Sequence, residues 1–442
     1  MAEAERSSDT VQILAGLNTV THEEAEGGAY KWYFLGLVVL IYVTSSIDRM
    51  VISVVAEPLK AAFHLSDKQI GLLNVAFAIA CGTAVLPMGW LIDRVNRRAL
   101  LSAAVTIWSV LTSTCAFSSS YVMLLLARMG VGVGEAPMSP AALSMIADTF
   151  PITQRNTAVG LYNSGTSAAQ IIVFTLGGWL LMYFDWRVVF LVAGGPGLVL
   201  AVLFFFTTRE PKRGAFDRRR QQAQVPVTPP AIKGAIRSIF GNPALCYAIL
   251  ALTLASGVSY SFIIWTTSFL VRSYGLSISH GAIGTGIGLG LCSTIGSLLV
   301  GPFADQFSKG SLRKVAMIAV VSAFLTLIGG LVMVLGETLA ISLAGLASMA
   351  VMTGFYVATG YSLIVSLAVP EIRGTTLAIT KLSFMVIGDG SIPFLTGAIS
   401  DAIGGKGSIR LALLCTLTVT LIAVIFYAMI YRILSRQEQK MV

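Results

Sequence analysis

Six ionisable residues stand where the chain is otherwise apolar: Asp48, Arg49, Arg128, Glu135, Lys381 and Asp389. Their formal charges sum to zero. An ionisable group at the centre of a bilayer costs at least ~2.5 kcal/mol, so each must face a polar cavity or a partner. Spacing groups them. Arg128 and Glu135 are seven apart, two helical turns on one face and ~10 Å along the axis. Gly130, Gly132 and Gly134 lie between them and allow close backbone approach. Asp48 and Arg49 are neighbours and point ~100° apart on a helix, so one can face the Glu135 helix while the other faces a cavity. Lys381 and Asp389 are eight apart, on roughly one side of a later helix. Arginines of this kind can hold an anionic group. A buried carboxyl favours its protonated form, and a nearby arginine favours the ionised one. Moving the arginine therefore loads or releases a proton. Glu135 is the expected carrier and Asp48 its partner. The competing account is structural ion pairing, although buried pairs often add little net stability.

Such residues need a membrane around them. Of 442 residues 55% are apolar and only 12% charged, against about 25% charged in a soluble domain. The mean hydropathy is +0.81. This excludes a disordered chain, a nucleic-acid-binding domain and an ordinary soluble enzyme. Apolar runs predict an all-α polytopic membrane protein, with spans near 32–58, 69–92, 99–117, 121–147, 155–181 and 187–207, then 243–271, 281–304, 313–335, 338–368, 372–399 and 408–433. Residues 1–30 read as a mobile acidic tail without the basic start of a signal peptide. Residues 31–207 form one six-helix bundle, 208–241 a basic linker, 242–433 a second bundle and 434–442 a short tail. Alternating strands are absent, which excludes an outer-membrane barrel. The five cysteines sit singly in apolar runs, and the three histidines are scattered. No metal or other cofactor is expected.

The net charge of +9 encodes orientation rather than a nucleic-acid partner. With both termini inside, the inner segments hold 21 Lys and Arg and the outer loops 6. That bias predicts cytoplasmic termini in a bacterial inner membrane. The halves also repeat. Gly89 to Asp93 ends the second span and Gly301 to Asp305 the eighth. Pro151 with Arg155 is matched by Pro370 with Arg373, and Arg187 by Arg410. Parallel six-helix repeats are a transporter architecture with the substrate site between the halves.

The stretch GWLIDRVNRR at 89–98 resembles the loop motif of the major facilitator superfamily, with Asn96 where Gly is usual. Further motifs are Ser46 to Arg49, Arg128 to Ala136 through Gly134 and Glu135, Asp148 to Pro151, Asp185 to Arg187 and Arg209 to Pro211. Together they look like spinster-type transporters and their bacterial relatives. The likeness thins beyond residue 215, to Phe269 to Arg272 and Gly397 to Asp401. It implies twelve helices, alternating access, and proton and substrate handling by Asp48, Arg49, Arg128 and Glu135. It also implies a state-dependent latch at the cytoplasmic face from Asp93, Arg94, Arg97, Arg98 and, in the partial copy, Asp305. It is silent on Lys381 and Asp389.

Aromatic and polar candidates complete the expected cavity: Tyr162 and Asn163 in helix 5, Tyr260 and Trp265 in helix 7, Tyr356 and Tyr361 in helix 10, Phe384 in helix 11. The glycine run at 284–290 is read as a packing and bending feature. The expected activity is proton-coupled transport, by a monomer, of an amphipathic lipid-like or organic anionic molecule. A small hydrophilic carboxylate is the alternative. A membrane enzyme finds no nucleophile with a base.

Overall fold

The computed structural model describes residues 2–92, 94–213, 232–369, 372–405 and 407–439. Asp93 and residues 214–231 of the expected linker lie outside them. Among the described residues there is no strand. Twelve helices are long and apolar enough to cross a membrane: α1 (Gly28–Phe63), α2 (Asp67–Val85), α3 (Arg97–Cys115), α4 (Tyr121–Thr149), α5 (Thr157–Tyr183), α6 (Trp186–Thr207), α7 (Pro243–Tyr274), α8 (Ile278–Ser308), α9 (Leu312–Leu335), α10 (Leu339–Leu367), α11 (Thr375–Ile403) and α12 (Ser408–Gln439). The expected spans match these to within a few residues. Short polar connections force successive helices antiparallel. Residues near 92–97, 149–152, 308–312 and the chain ends therefore share one face, here the terminal face. The turns at 63–67, 115–121, 183–186, 274–278, 335–339 and 403–408 share the other, the loop face.

Helix starts are capped locally. Ser120, Asp185, Asn242, Ser277, Ser311 and Thr338 each accept a backbone N–H of the turn that follows, the usual N-cap chemistry. Asn96 does the same for α3, its side-chain oxygen accepting from the Ala99 N–H at 2.9 Å. Its φ is −65°, so glycine's left-handed freedom is not needed there, and the departure from the loop motif supplies a cap. Pro137 lacks an amide proton, and α4 breaks beside it into Tyr121–Glu135 and Met138–Thr149. Glu135 is the last residue before that break. Helices α8 and α11 each contain a widened turn, at Gly286–Leu291 and Phe384–Ser391. Such turns carry one extra residue per hydrogen-bonded ring.

The two halves meet along α2 against α11 and α5 against α8. Glycines record how closely. A Cβ at Gly71 would come within 2.7 Å of the Phe394 Cα, and one at Gly178 within 3.0 Å of the Ser279 carbonyl. Mid-span, Gly82 would only touch Val386 and Leu382 at 3.7 and 3.8 Å. Nearer the terminal face, Gly89 just past α2, Gly160 on α5 and Gly301 on α8 would meet nothing within 4 Å. The halves are therefore closed at the loop face and parted at the terminal face. One buried apolar core cluster spans both halves near the loop face, joining Val55 and Leu59 with Phe262 and Phe269. Two others stay within single halves.

Candidate transport site

The central charges lie where the halves part. On α1 the polar residues Tyr42, Ser46 and Arg49 fall at helical spacing and face inward. With Met50 they line a cavity of about 260 Å³. Thr166 and Gln170 join from α5, Ser256, Ser259, Tyr260 and Ile263 from α7, and Thr353, Tyr356 and Val357 from α10. Lys381, Phe384 and Asp389 join from α11. Of the residues expected from sequence, Arg49, Tyr260, Tyr356, Lys381, Phe384 and Asp389 are thus brought together.

Behind the cavity wall, Arg49 Nε donates to Glu135 Oε2 at 2.7 Å. Ser45 Oγ donates to the same oxygen at 2.8 Å. The Arg49 side chain keeps 21% exposure, whereas that of Glu135 has none. Glu135 thus meets the cavity only through Arg49. Its Oε1 is buried with no hydrogen-bond partner among the described residues. An anion drawn to Arg49 would compete with Glu135, and a proton on Glu135 would weaken its hold on the guanidinium.

Arg128 differs from expectation. It does not pair with Glu135. It is fully buried, and its Nη1 donates to the Asp48 backbone carbonyl at 2.9 Å. Two turns of helix separate it from Glu135, and it does not line the central cavity. The Phe77 ring lies near both arginines, 5.8 Å from the Arg49 guanidinium and 5.2 Å from that of Arg128. The Asp48 carboxylate is fully buried, and both its oxygens lack a hydrogen-bond partner among the described residues.

Four other candidates lie outside the lining. Tyr162 is buried and stacks on Tyr42 with ring centroids 4.2 Å apart, so it backs a lining residue. Trp265 is fully buried and donates its indole N–H to the Pro393 carbonyl at 3.0 Å, which fastens α7 to α11. Asn163 is exposed and Tyr361 half-buried.

At the terminal face, Arg97 reaches Asp148 at 2.6 Å, Glu210 at 2.7 Å and the Pro211 carbonyl at 2.9 Å. The Arg98 N–H donates to Glu210 at 2.8 Å. Arg94 lies over the Trp90 ring at 4.1 Å. All these contacts stay inside the first half. They tie the end of α6 to the start of α3. Asp305 is exposed, on a cleft of about 390 Å³ with Ser308, Thr359 and Ser366.

The densest polar cluster between the halves was not expected as a site. Arg272 on α7 donates to Glu57 on α1 at 2.5 and 2.9 Å, and to both Asp67 oxygens on α2 at 2.7 Å. Lys60 also pairs with Asp67. From α11, Ser400 donates to Asp67 at 2.7 Å. Asp401 accepts the Asp67 and Lys68 N–H groups at 2.9 and 2.7 Å, capping α2 from the opposite half. The sequence signal was present, since Arg272 and Asp401 end the two motifs quoted from the second half.

Comparison with known proteins agrees with this architecture. The solved structure of a bacterial homologue of the human lysosomal transporter Spinster, inward-facing and unoccupied, has a TM-score of 0.81 and 27% identity. The match covers 91% of this chain and 97% of that one. An MFS-type efflux pump of Mycolicibacterium smegmatis is 25% identical over 92% of this chain and 94% of its own. The probable galactarate/D-glucarate transporter GudP of Escherichia coli is 26% identical over 91% and 94%. The family model described as Major Facilitator Superfamily matches residues 38–390. With twelve spanning helices in two halves, the chain is a multi-pass membrane protein of transporter fold, and it belongs to the Major Facilitator Superfamily.

Proposed function

We propose that the protein is a proton-coupled secondary transporter of a small organic anion, working by alternating access in a bacterial inner membrane. The observation that carries this is the Arg49–Glu135 pair, which gives an anion and a proton a shared partner at the cavity wall. Linkage through a shared partner is reciprocal. Asp48, buried one residue from Arg49, is the second acid of the coupling group. Both termini are taken as cytoplasmic from the distribution of basic residues. The terminal face is then the cytoplasmic one and the structure inward-facing.

The hydroxyls on the wall and the size of the cavity support a hydrophilic acid over a lipid-like one. Helices α7 and α10 contribute the hydroxyls of Ser256, Ser259, Tyr260, Thr353 and Tyr356, while the largest ring, Trp265, is spent on packing. About 260 Å³ is below the usual size of sites that enclose drug-sized molecules, and a lysolipid is larger still. The similarity to a probable galactarate/D-glucarate transporter points the same way.

The test is uptake into proteoliposomes of radiolabelled D-glucarate and of a lysophosphatidylcholine, with and without an imposed pH gradient. The native protein should accumulate the acid and respond to the gradient. Glu135→Gln should still bind the acid but lose the gradient response. An unchanged response in Glu135→Gln would overturn the coupling role. Accumulation of the lysolipid alone would overturn the hydrophilic-acid reading.

A further inference from the structure

Helix α11 carries the feature of the cavity on which the sequence motifs are silent. Its widened turn, Phe384–Ser391, packs between α2 and α7. A Cβ at Gly257 on α7 would come within 2.7 Å of the Gly388 Cα, and one at Gly390 within 3.2 Å of Ala78 on α2. The turn is therefore pinned on both sides. It brings Lys381 and Asp389, eight residues apart, to the same cavity.

The two do not form an ion pair. Lys381 Nζ lies over the Phe384 ring, 5.3 Å from its centroid. No carboxylate is within 4.0 Å of it among the described residues. Asp389 Oδ1 is buried without a hydrogen-bond partner. The residue as a whole is half-buried, and a carboxylate oxygen shut off from water costs free energy unless a donor satisfies it. No side chain or backbone group of the described protein does so. Arg49, the anion-binding group, stands on the opposite wall and belongs to the other half.

We propose that Asp389 is the specificity-determining acceptor of the cavity, which takes a hydroxyl or ammonium donor on the substrate at the end away from Arg49. The transported acid then carries a hydrogen-bond donor on its tail, and an acid with a bare hydrocarbon tail leaves Asp389 unsatisfied. This rests on the organic-anion reading above and adds a second recognition point to it. Each half contributes one charged contact, so a substrate that makes both bridges the halves.

The test compares matched acids on the purified full-length protein by calorimetry: butanoate, 4-hydroxybutanoate and 4-aminobutanoate, then hexanoate, 6-hydroxyhexanoate and 6-aminohexanoate. At one chain length or the other, a donor-bearing acid should bind about tenfold or more tighter than its methyl-ended mate, as expected for a hydrogen bond to a charged group. Asp389→Leu should erase that ratio, the donor-bearing acid losing its advantage over its methyl-ended mate. Asp389→Asn should keep the preference for hydroxyl and lose that for ammonium, which distinguishes the two kinds of donor. Equal binding of donor-bearing and methyl-ended acids by the native protein, or a ratio unchanged in Asp389→Leu, would overturn the assignment. If none of the six acids binds, the organic-anion reading falls and this one with it. If all bind without discrimination, only this one falls.

Discussion

Removing Arg272 should open the loop face. In the structure its guanidinium bridges Glu57 on α1 and Asp67 on α2. Asp401 lies on the other side of Asp67, capping α2. With Arg272 and Lys60 present, the five charged groups of this cluster carry a formal charge of −1. Arg272→Ala raises that to −2 and leaves three carboxylates facing one another. Breaking a buried pair by deleting one partner costs ~3–5 kcal/mol. The Arg272 and Glu57 side chains keep 17% and 19% exposure, so water recovers part of that loss. A figure of ~2–3 kcal/mol remains. All of it falls on the closed loop face, because these partners belong to different halves. The closed population should therefore drop about 30- to 150-fold relative to the open one. Spin labels at Ser119 on the first half and Glu337 on the second, both exposed loop-face positions, would read this by double electron–electron resonance in a background without native cysteines. Native protein should give mainly the short distance and Arg272→Ala mainly a longer one. A distance distribution unchanged by Arg272→Ala would refute the gate. Arg272→Lys should fall between, since an ammonium cannot hold two carboxylates bidentately.

Two further outcomes follow from geometry alone. Gly71→Ala places a methyl 2.7 Å from the Phe394 Cα and should shift the same label pair to the longer distance without touching any charge. Asn96→Ala removes the cap of α3 and should lower stability by about 1 kcal/mol, seen as a lower midpoint of thermal unfolding. Asn96→Gly should cost only a few tenths of that.

The spans are legible in the sequence because a bilayer imposes length and apolarity on each helix separately, without tertiary information. The six charges inside the spans are legible for the same reason. Their pairing is not. Residues seven apart on one helix share a face, yet two turns separate Arg128 from Glu135 and the approach of α1 gives each a different partner. Trp265 reads as a cavity aromatic, and only the packing of α7 on α11 reveals that its N–H is taken by Pro393. The small polar residues of the lining are the converse case. Ser256, Ser259 and Tyr260 form a stripe at helical spacing, and so do Tyr42, Ser46 and Arg49. Singly, serine and threonine are common in membrane helices, where they bond to their own backbone. The stripe was visible, but it takes the second half to show that two such stripes face each other. The loop-face cluster escaped because its members look like ordinary outer-loop charges until helices far apart in sequence are brought together.

The widened turns carry a consequence for how the molecule can move. Among the described helices they occur in α8 and α11 and not in α2 and α5, their counterparts in the first half. The sequence repeat thus does not extend to mechanics. The half that holds Arg49 and Glu135 meets its neighbour through α2 and α5, in which no widened turn is described. The other half meets it through two helices whose hydrogen-bond ladders are irregular at mid-span, the level of the cavity. A helix yields most readily where its ladder is irregular, so bending stress imposed by a bound molecule collects in α8 and α11. The first half keeps the spacing of Arg49 and Glu135, and the second supplies the compliance.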